Sequence, residues 1–242
     1  LGNTNLDADT TLNATITDDV AATKAVSFAA GTNSGKLVID GTANNNGIVI
    51  TGSGGTDTIK SGAGNDAITG GAGADSIDLG SGTDILVVTD VATTDTVTNF
   101  TAGAAGDKIN IDVSEINSEL GKNLVDTDGA HDIVASDAIV FSSVLTSSGA
   151  IAASKNIVLL GEDTVAKNEA ILDGSTVTTD LTNGDGFVVA FIDANDDLNI
   201  GVAVLDDTSS AKTLEKTDIK VTQTFTGTYT LAGLDAANFA FI

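Results

Sequence analysis

The 242-residue sequence has no cysteine, proline, methionine or tryptophan, and all ten of its basic residues are lysine. Without cysteine, disulfides and thiolate metal sites are excluded, so any stapling of the fold must come from something else. Without proline, turns must be built from Gly, Asn and Asp, and Gly is abundant at 27 residues. Aromatic residues make up only 4% against 41% hydrophobic residues in all. The apolar content is therefore Ala, Val, Ile and Leu, which suits thin, regular β layers better than a bulky core. No apolar run approaches the roughly 18–20 residues that cross a bilayer, which argues against membrane insertion. The first ten residues, LGNTNLDADT, lack the basic start and apolar run of a secretory signal.

Positive charge is scarce as well. Ten Lys face 34 acidic residues, for a formal net charge of -24. Phosphate contacts need clustered Lys and Arg, so nucleic acid and anionic membrane surfaces are poor partners. Self-repulsion on this scale destabilises a compact state. A divalent cation is the obvious neutralising agent.

What is present is a repeat. The blocks Gly52–Lys60, Ser61–Thr69, Gly70–Asp78 and Leu79–Val87 read GSGGTDTIK, SGAGNDAIT, GGAGADSID and LGSGTDILV. Asp57, Asp66, Asp75 and Asp84 recur every nine residues. So do Ile59, Ile68, Ile77 and Leu86, and Gly55, Gly64, Gly73 and Gly82. A flexible linker does not hold three residue types in phase. A phosphate-binding glycine loop is excluded too, because no Gly-Lys-Ser/Thr follows and the surroundings are acidic.

Nonapeptides of this pattern are calcium-binding β-helix repeats. Gly permits the positive φ of a tight turn, in which carbonyls point inward. Asp supplies a carboxylate at the end of the turn, and the apolar residue two places later starts a short strand. With two nonapeptides per coil, Asp57 stacks near Asp75 and Asp66 near Asp84. Adjacent strands lie about 4.8 Å apart. Bare carboxylates at that spacing repel by roughly 3 kcal/mol at an effective dielectric near 20. Ca²⁺ takes six to eight oxygens, which two carboxylates and turn carbonyls can supply, whereas Mg²⁺ demands a stricter octahedron. The candidate metal-site residues are Asp57, Asp66, Asp75, Asp84 and Asp95 with their carboxylates, and Gly52, Gly55, Gly62, Gly64, Gly70, Gly71, Gly73 and Gly82 in the turns that present the carbonyls. Asp107 is a further candidate.

These blocks resemble the RTX family, named for its nonapeptide repeats. The resemblance implies type I secretion and folding outside the cell on meeting Ca²⁺. DTVTNF and GDKINI, at Asp95–Phe100 and Gly106–Ile111, are similar to the module that follows the repeats in that family. The tail LAGLDAANFAFI resembles the family's uncleaved C-terminal export signal, an ordinary last strand being the other reading. Ser61 and Leu79 depart from the pattern by replacing the first Gly of their blocks.

The expected fold is all-β: a right-handed parallel β-roll or β-solenoid followed by a β-sandwich-like C-terminal region. The expected divisions are 1–51 as irregular solenoid rungs, 52–93 as the calcium-binding roll, and 94–242 as a C-terminal β domain ending in the export signal. In the first division, Ala14–Thr17, Ala25–Ala29, Lys36–Asp40 and Gly47–Thr51 read as strands. Val113–Leu120 reads as a short helix. In DANDDLN, Asp193, Asn195 and Asp197 alternate as in the start of an EF-hand-like loop. Leu198 and Val204 stand where that loop needs Gly and Glu, and the alternative is a plain hairpin turn. His131, the single histidine, reads as a solvated loop residue. Neither a zinc-hydrolase nor a nucleophile-elbow motif occurs.

Two functions fit. The first is a non-enzymatic, self-assembling surface-layer (S-layer) or filament protein, extracellular and bound to the cell surface. Its partners are copies of itself, the type I secretion machinery and, as a further candidate, cell-surface polysaccharide. The second is the calcium-folding and secretion module of a larger RTX exoenzyme or adhesin.

Overall fold

The computed structural model describes residues 10–17, 27–29, 33–121, 124, 157–160, 175–176, 186–204, 213–214 and 219–242. His131 and the apolar stretch 138–145 lie outside them. The described residues are mostly β. Among the described residues ten strands precede an α-helix: β1 (Thr11–Thr17), β2 (Ser27–Ala29), β3 (Lys36–Ala43), β4 (Val49–Thr51), β5 (Thr58–Lys60), β6 (Ala67–Thr69), β7 (Ser76–Asp78), β8 (Ile85–Val88), β9 (Asp95–Thr98) and β10 (Lys108–Ile111). They alternate between two sheets. Odd strands run β1-β3-β5-β7-β9 in one, and even strands run β10-β8-β6-β4-β2 in the other. Every neighbouring pair among them is parallel.

The nonapeptide explains the alternation. Each block is a glycine-rich turn followed by a three- or four-residue strand, too short to do more than cross one face. The next turn sends the chain to the other sheet. The apolar residue of each block faces the space between the sheets: Ile59, Ile68, Ile77 and Leu86 are at most 1% exposed. Register stacks them in rows, Ile39–Ile59–Ile77–Val97 in one sheet and Ile50–Ile68–Leu86–Ile109 in the other. Full burial of each such side chain contributes about 1.5–3 kcal/mol.

The helix α1 (Val113–Leu120) starts where Asp112 accepts from the amides of Ser114 and Glu115, and stops at Gly121 in the left-handed conformation. Both ends are thus satisfied locally. Beyond it, β11 (Ile157–Leu160), β13 (Gly186–Ile192), β14 (Leu198–Val204) and β16 (Ile219–Phe225) continue the odd-strand sheet in the order β9-β16-β14-β13-β11. The last strand, β17 (Phe239–Phe241), pairs with β10 in the even-strand sheet. A small separate pair joins β12 (Ser175–Thr176) to β15 (Thr213–Leu214). The later strands therefore extend both sheets of the repeat segment by direct main-chain pairing. The seam is apolar as well: Phe225 packs against Phe100 with the rings tilted and their centroids 4.7 Å apart, and Tyr229 Oη donates to Phe100 O at 3.0 Å.

Among the described residues, no helix is long and apolar enough to cross a membrane.

Candidate metal centre

Asp57, Asp66, Asp75, Asp84, Asp95 and Asp107 are all buried, none more than 6% exposed. Each ends a turn immediately before a strand, or starts that strand, so register stacks them in two columns. One column is Asp57–Asp75–Asp95 and the other is Asp66–Asp84–Asp107. Within a column each carboxylate reaches back to the preceding member's main chain. Asp75 Oδ1 accepts from the Asp57 amide at 2.7 Å, and Asp95 Oδ1 from the Asp75 amide at 2.9 Å. Asp84 Oδ1 accepts from the Asp66 amide at 2.8 Å, and Asp107 Oδ1 from the Asp84 amide at 2.8 Å. At the N-terminal ends, Asp57 Oδ1 takes the Leu37 amide at 2.7 Å and Asp66 Oδ1 the Ile48 amide at 2.9 Å. Leu37 and Ile48 occupy the aspartate positions of their own strands and are buried in the core. The columns end where an apolar residue replaces the acid.

The second carboxylate oxygen divides the six. Asp57 Oδ2 accepts from the Ser53 amide at 2.6 Å, Asp107 Oδ2 from the Thr101 amide at 2.7 Å, and Asp95 Oδ2 from Gln223 Nε2 at 2.8 Å. Asp66 Oδ2, Asp75 Oδ2 and Asp84 Oδ2 are buried and have no hydrogen-bond partner. A buried carboxylate oxygen left this way is costly, and it calls for a cation or a proton. The electrostatics of the columns point the same way. Burial, reinforced by the charges of Asp95, Asp57 and Asp90, pushes Asp75 up to about 8 against the bond from the Asp57 amide. Burial, with Asp107 and Asp66 adding to it, pushes Asp84 up to about 7. Burial also raises Asp95 to about 6, opposed by the Asp75 amide and Gln223. Asp66 is raised by burial, opposed by the Ile48 amide.

The glycines divide by role. Gly62, Gly64, Gly71, Gly73, Gly80 and Gly82 have positive φ, as the turn requires. Gly52, Gly55 and Gly70 do not, and at Gly52 and Gly70 the need is for space beside the column. A Cβ on Gly70 would lie 2.5 Å from Asp75 Oδ2 and 3.3 Å from Asp95 Oδ2. One on Gly52 would collide with Gly70 O and lie 2.6 Å from Asp57 Oδ2. These positions form a cradle of carboxylate and carbonyl oxygens that any side chain would fill. Among the described residues no three His, Cys, Asp or Glu converge as a metal cluster. The donors on offer are instead paired carboxylates and neutral oxygens, a hard, flexible set that suits Ca²⁺ and not Zn²⁺.

Residues 51–86 match the family model of the RTX calcium-binding nonapeptide repeat, in four copies. An RTX calcium-binding segment is therefore present in this chain, and Ca²⁺ is the ion its donors fit. No curated protein and no solved structure matches the chain.

Asp107, a secondary candidate on sequence, is a full member of its column. The insertions that delay it and Asp95, 23 and 20 residues after their predecessors rather than 18, hide the period. At the departures from the RTX pattern, Leu79 is fully buried and the Ser61 hydroxyl donates to Leu79 O at 2.6 Å. Asp193, Asn195 and Asp197 form the turn between β13 and β14. Asp193 Oδ1 accepts from the amides of Asn195 and Asp197 at 2.8 and 3.3 Å, and Asp197 Oδ1 accepts from Gly227 at 2.8 Å. The Asp193 carboxylate thus braces the hairpin turn, and the Asp197 carboxylate ties that turn to Gly227. Sequence reasoning missed Gly80, Ser53, Thr101 and Gln223. Gly80 had a signal, since it falls in the same repeat position as Gly62 and Gly71.

Proposed function

We propose that this protein is a calcium-dependent structural surface-layer or surface-filament protein, exported by type I secretion and folded and assembled outside the cell by Ca²⁺. In this reading the two stacked sheets close as a right-handed parallel β-roll, with Ca²⁺ seated along both aspartate columns. The observation that carries the reading is the set of buried, partnerless oxygens on Asp66, Asp75 and Asp84. Low cytoplasmic calcium leaves the columns repelling and the chain export-competent. Higher extracellular calcium neutralises them and locks the turns. The same ion lowers the repulsion between copies that a net charge of -24 imposes. Strand edges at the ends of the sheets then supply unpaired main-chain groups for docking. The chain does no catalysis of its own.

The test is a calcium titration of the purified chain, followed by circular dichroism, light scattering and electron microscopy. β signal and regular sheets or fibres should appear together as calcium rises through the millimolar range. Calcium-induced folding of a strictly monomeric particle would move the reading to the folding and secretion module of a larger exoenzyme or adhesin. Turnover of a protease, lipase or glycosidase substrate would overturn the non-catalytic assignment.

A further inference from the structure

The Asp57–Asp75–Asp95 column does not end at Asp95. In the register of β9 with β16, Asp95 lies directly beside Gln223. Gln223 therefore stands where the next repeat would place its aspartate, although it arrives from a strand 128 residues further along the chain. It is 3% exposed. Its Nε2 donates to Asp95 Oδ2 at 2.8 Å, while its Oε1 is buried with no partner. Two oxygens without partners thus flank Asp95 along one column, Asp75 Oδ2 on one side and Gln223 Oε1 on the other.

Beside the end of the other column a carboxamide, one register position past Asp107, is used in a purely structural way. There Asn238, on the segment leading into β17, is also fully buried. Its Nδ2 donates to Gly103 O and Asp107 O, both at 2.8 Å, and its Oδ1 accepts from the amides of Gly103 and Asp235 at 3.0 and 2.9 Å. Every polar atom of that carboxamide is used, and Asp107 Oδ2 is met by a main-chain amide. Gln223, by contrast, ends its column with a buried acceptor left over.

We propose that Gln223 is a calcium ligand, completing with Asp95 a site at the junction between the repeat segment and the C-terminal strands. Rotating the carboxamide half a turn exchanges Nε2 and Oε1 and presents the carbonyl oxygen on the Asp95 side. That orientation is unfavourable against a bare carboxylate and favourable once a cation lies between them. An amide oxygen is an ordinary Ca²⁺ ligand. The ion would then tie β16 to the repeat segment, so the C-terminal strands dock fully only when calcium is bound. The proposal rests on the calcium reading of the columns.

Calorimetry on the full chain, stripped of metal and titrated with CaCl₂ at neutral pH, separates the two. The comparison is wild type with Gln223→Met, Gln223→Glu and Asp66→Asn. Gln223→Met should bind one Ca²⁺ fewer, or bind one at least 10-fold more weakly. Gln223→Glu should keep the wild-type number, with that site tightened. Asp66→Asn should weaken sites in its own column and leave the Gln223-dependent one unchanged. If wild type takes up no calcium, the columns are not calcium sites and both readings fall. If wild type binds but Gln223→Met matches it in number and affinity, only the Gln223 assignment falls. Should Gln223→Met fail to fold, Gln223→Glu decides. A ligand carboxylate is destabilising in EGTA and rescued by calcium, whereas a lost amide donor is destabilising in both, which would overturn the proposal.

Discussion

Replacing Asp75 by Asn tests the calcium columns because the two oxygens of Asp75 have separate jobs. The carboxamide keeps Oδ1, so the 2.7 Å bond from the Asp57 amide survives. What changes is the partnerless Oδ2 and the charge. Without calcium, the substitution removes repulsion from two column neighbours about 4.8 Å away. Each unscreened pair is worth roughly 3 kcal/mol at an effective dielectric near 20. Because Asp75 is pushed up to about 8, it is partly protonated at pH 8, and the realised gain is somewhat below the unscreened sum. With calcium at tenfold excess over Kd, each site adds about 1.4 kcal/mol. Asp75 borders two positions in its column, so losing it forfeits about 3 kcal/mol of calcium stabilisation. For a domain of this size that is about 6–12 °C in Tm. Thermal melts at pH 8 should therefore cross over: the Asp75→Asn variant melts at or above wild type in EGTA and below it in millimolar CaCl₂. Equal destabilisation in both buffers would refute the reasoning and reduce Asp75 to a main-chain brace.

Other outcomes follow from the same geometry. Asp75→Ala also strands the Asp57 amide, so it should be destabilised in EGTA and calcium alike, and more than Asp75→Asn in each. In metal-free protein the folded-state values of Asp75, Asp84 and Asp95 lie above the usual carboxylate value of 3.8. The folded state then holds more protons than the unfolded one between about pH 4 and 8, so stability should fall as pH rises through that window. Saturating calcium should flatten or reverse the slope, which calorimetric melts across the upper part of that window would show. Gly70→Ala should weaken calcium binding with the fold retained, because φ there is not positive and the clash is with Asp75 Oδ2. Gly80→Ala should destabilise with or without calcium, since Gly80 has φ +77 and a Cβ would strike Gly62 O. Self-association followed by light scattering should respond to CaCl₂ far more than to NaCl of equal ionic strength, which only screens.

The repeat was legible because three residue types kept one period. That period implied the stacking of Asp57 on Asp75 and Asp66 on Asp84, and the inward row of Ile59, Ile68, Ile77 and Leu86. The stretches read as early rungs are occupied by β1 to β4, since alternation of apolar and polar residues carries strand information without any motif. Asp95 and Asp107 were harder, because insertions broke the count while pairing in the sheets restored it. Gln223 was illegible. Nothing in IKVTQTF marks its glutamine as the next rung of a column whose other members lie before residue 96. Only the parallel pairing of β16 with β9 shows it. The roles of Gly52 and Gly70 were likewise hidden, because closeness to a neighbouring strand has no local signature.

The pairing of β9 with β16 also has a kinetic side. The strand beside Asp95 cannot form until residues around 223 exist and have found their way back, across a loop of more than a hundred residues. Closing so long a loop is slow for a sheet built from distant segments. The N-terminal layers, with Leu37 and Ile48 in place of acids, carry no such delay and no column charge to neutralise. Folding should therefore proceed as a zipper that starts in the apolar layers and ends at a clasp supplied by the far part of the chain. A chain broken before residue 219 would leave β9 as a raw edge, ready to pair with a neighbour's. The clasp thus makes closure of that layer depend on the far part of the chain.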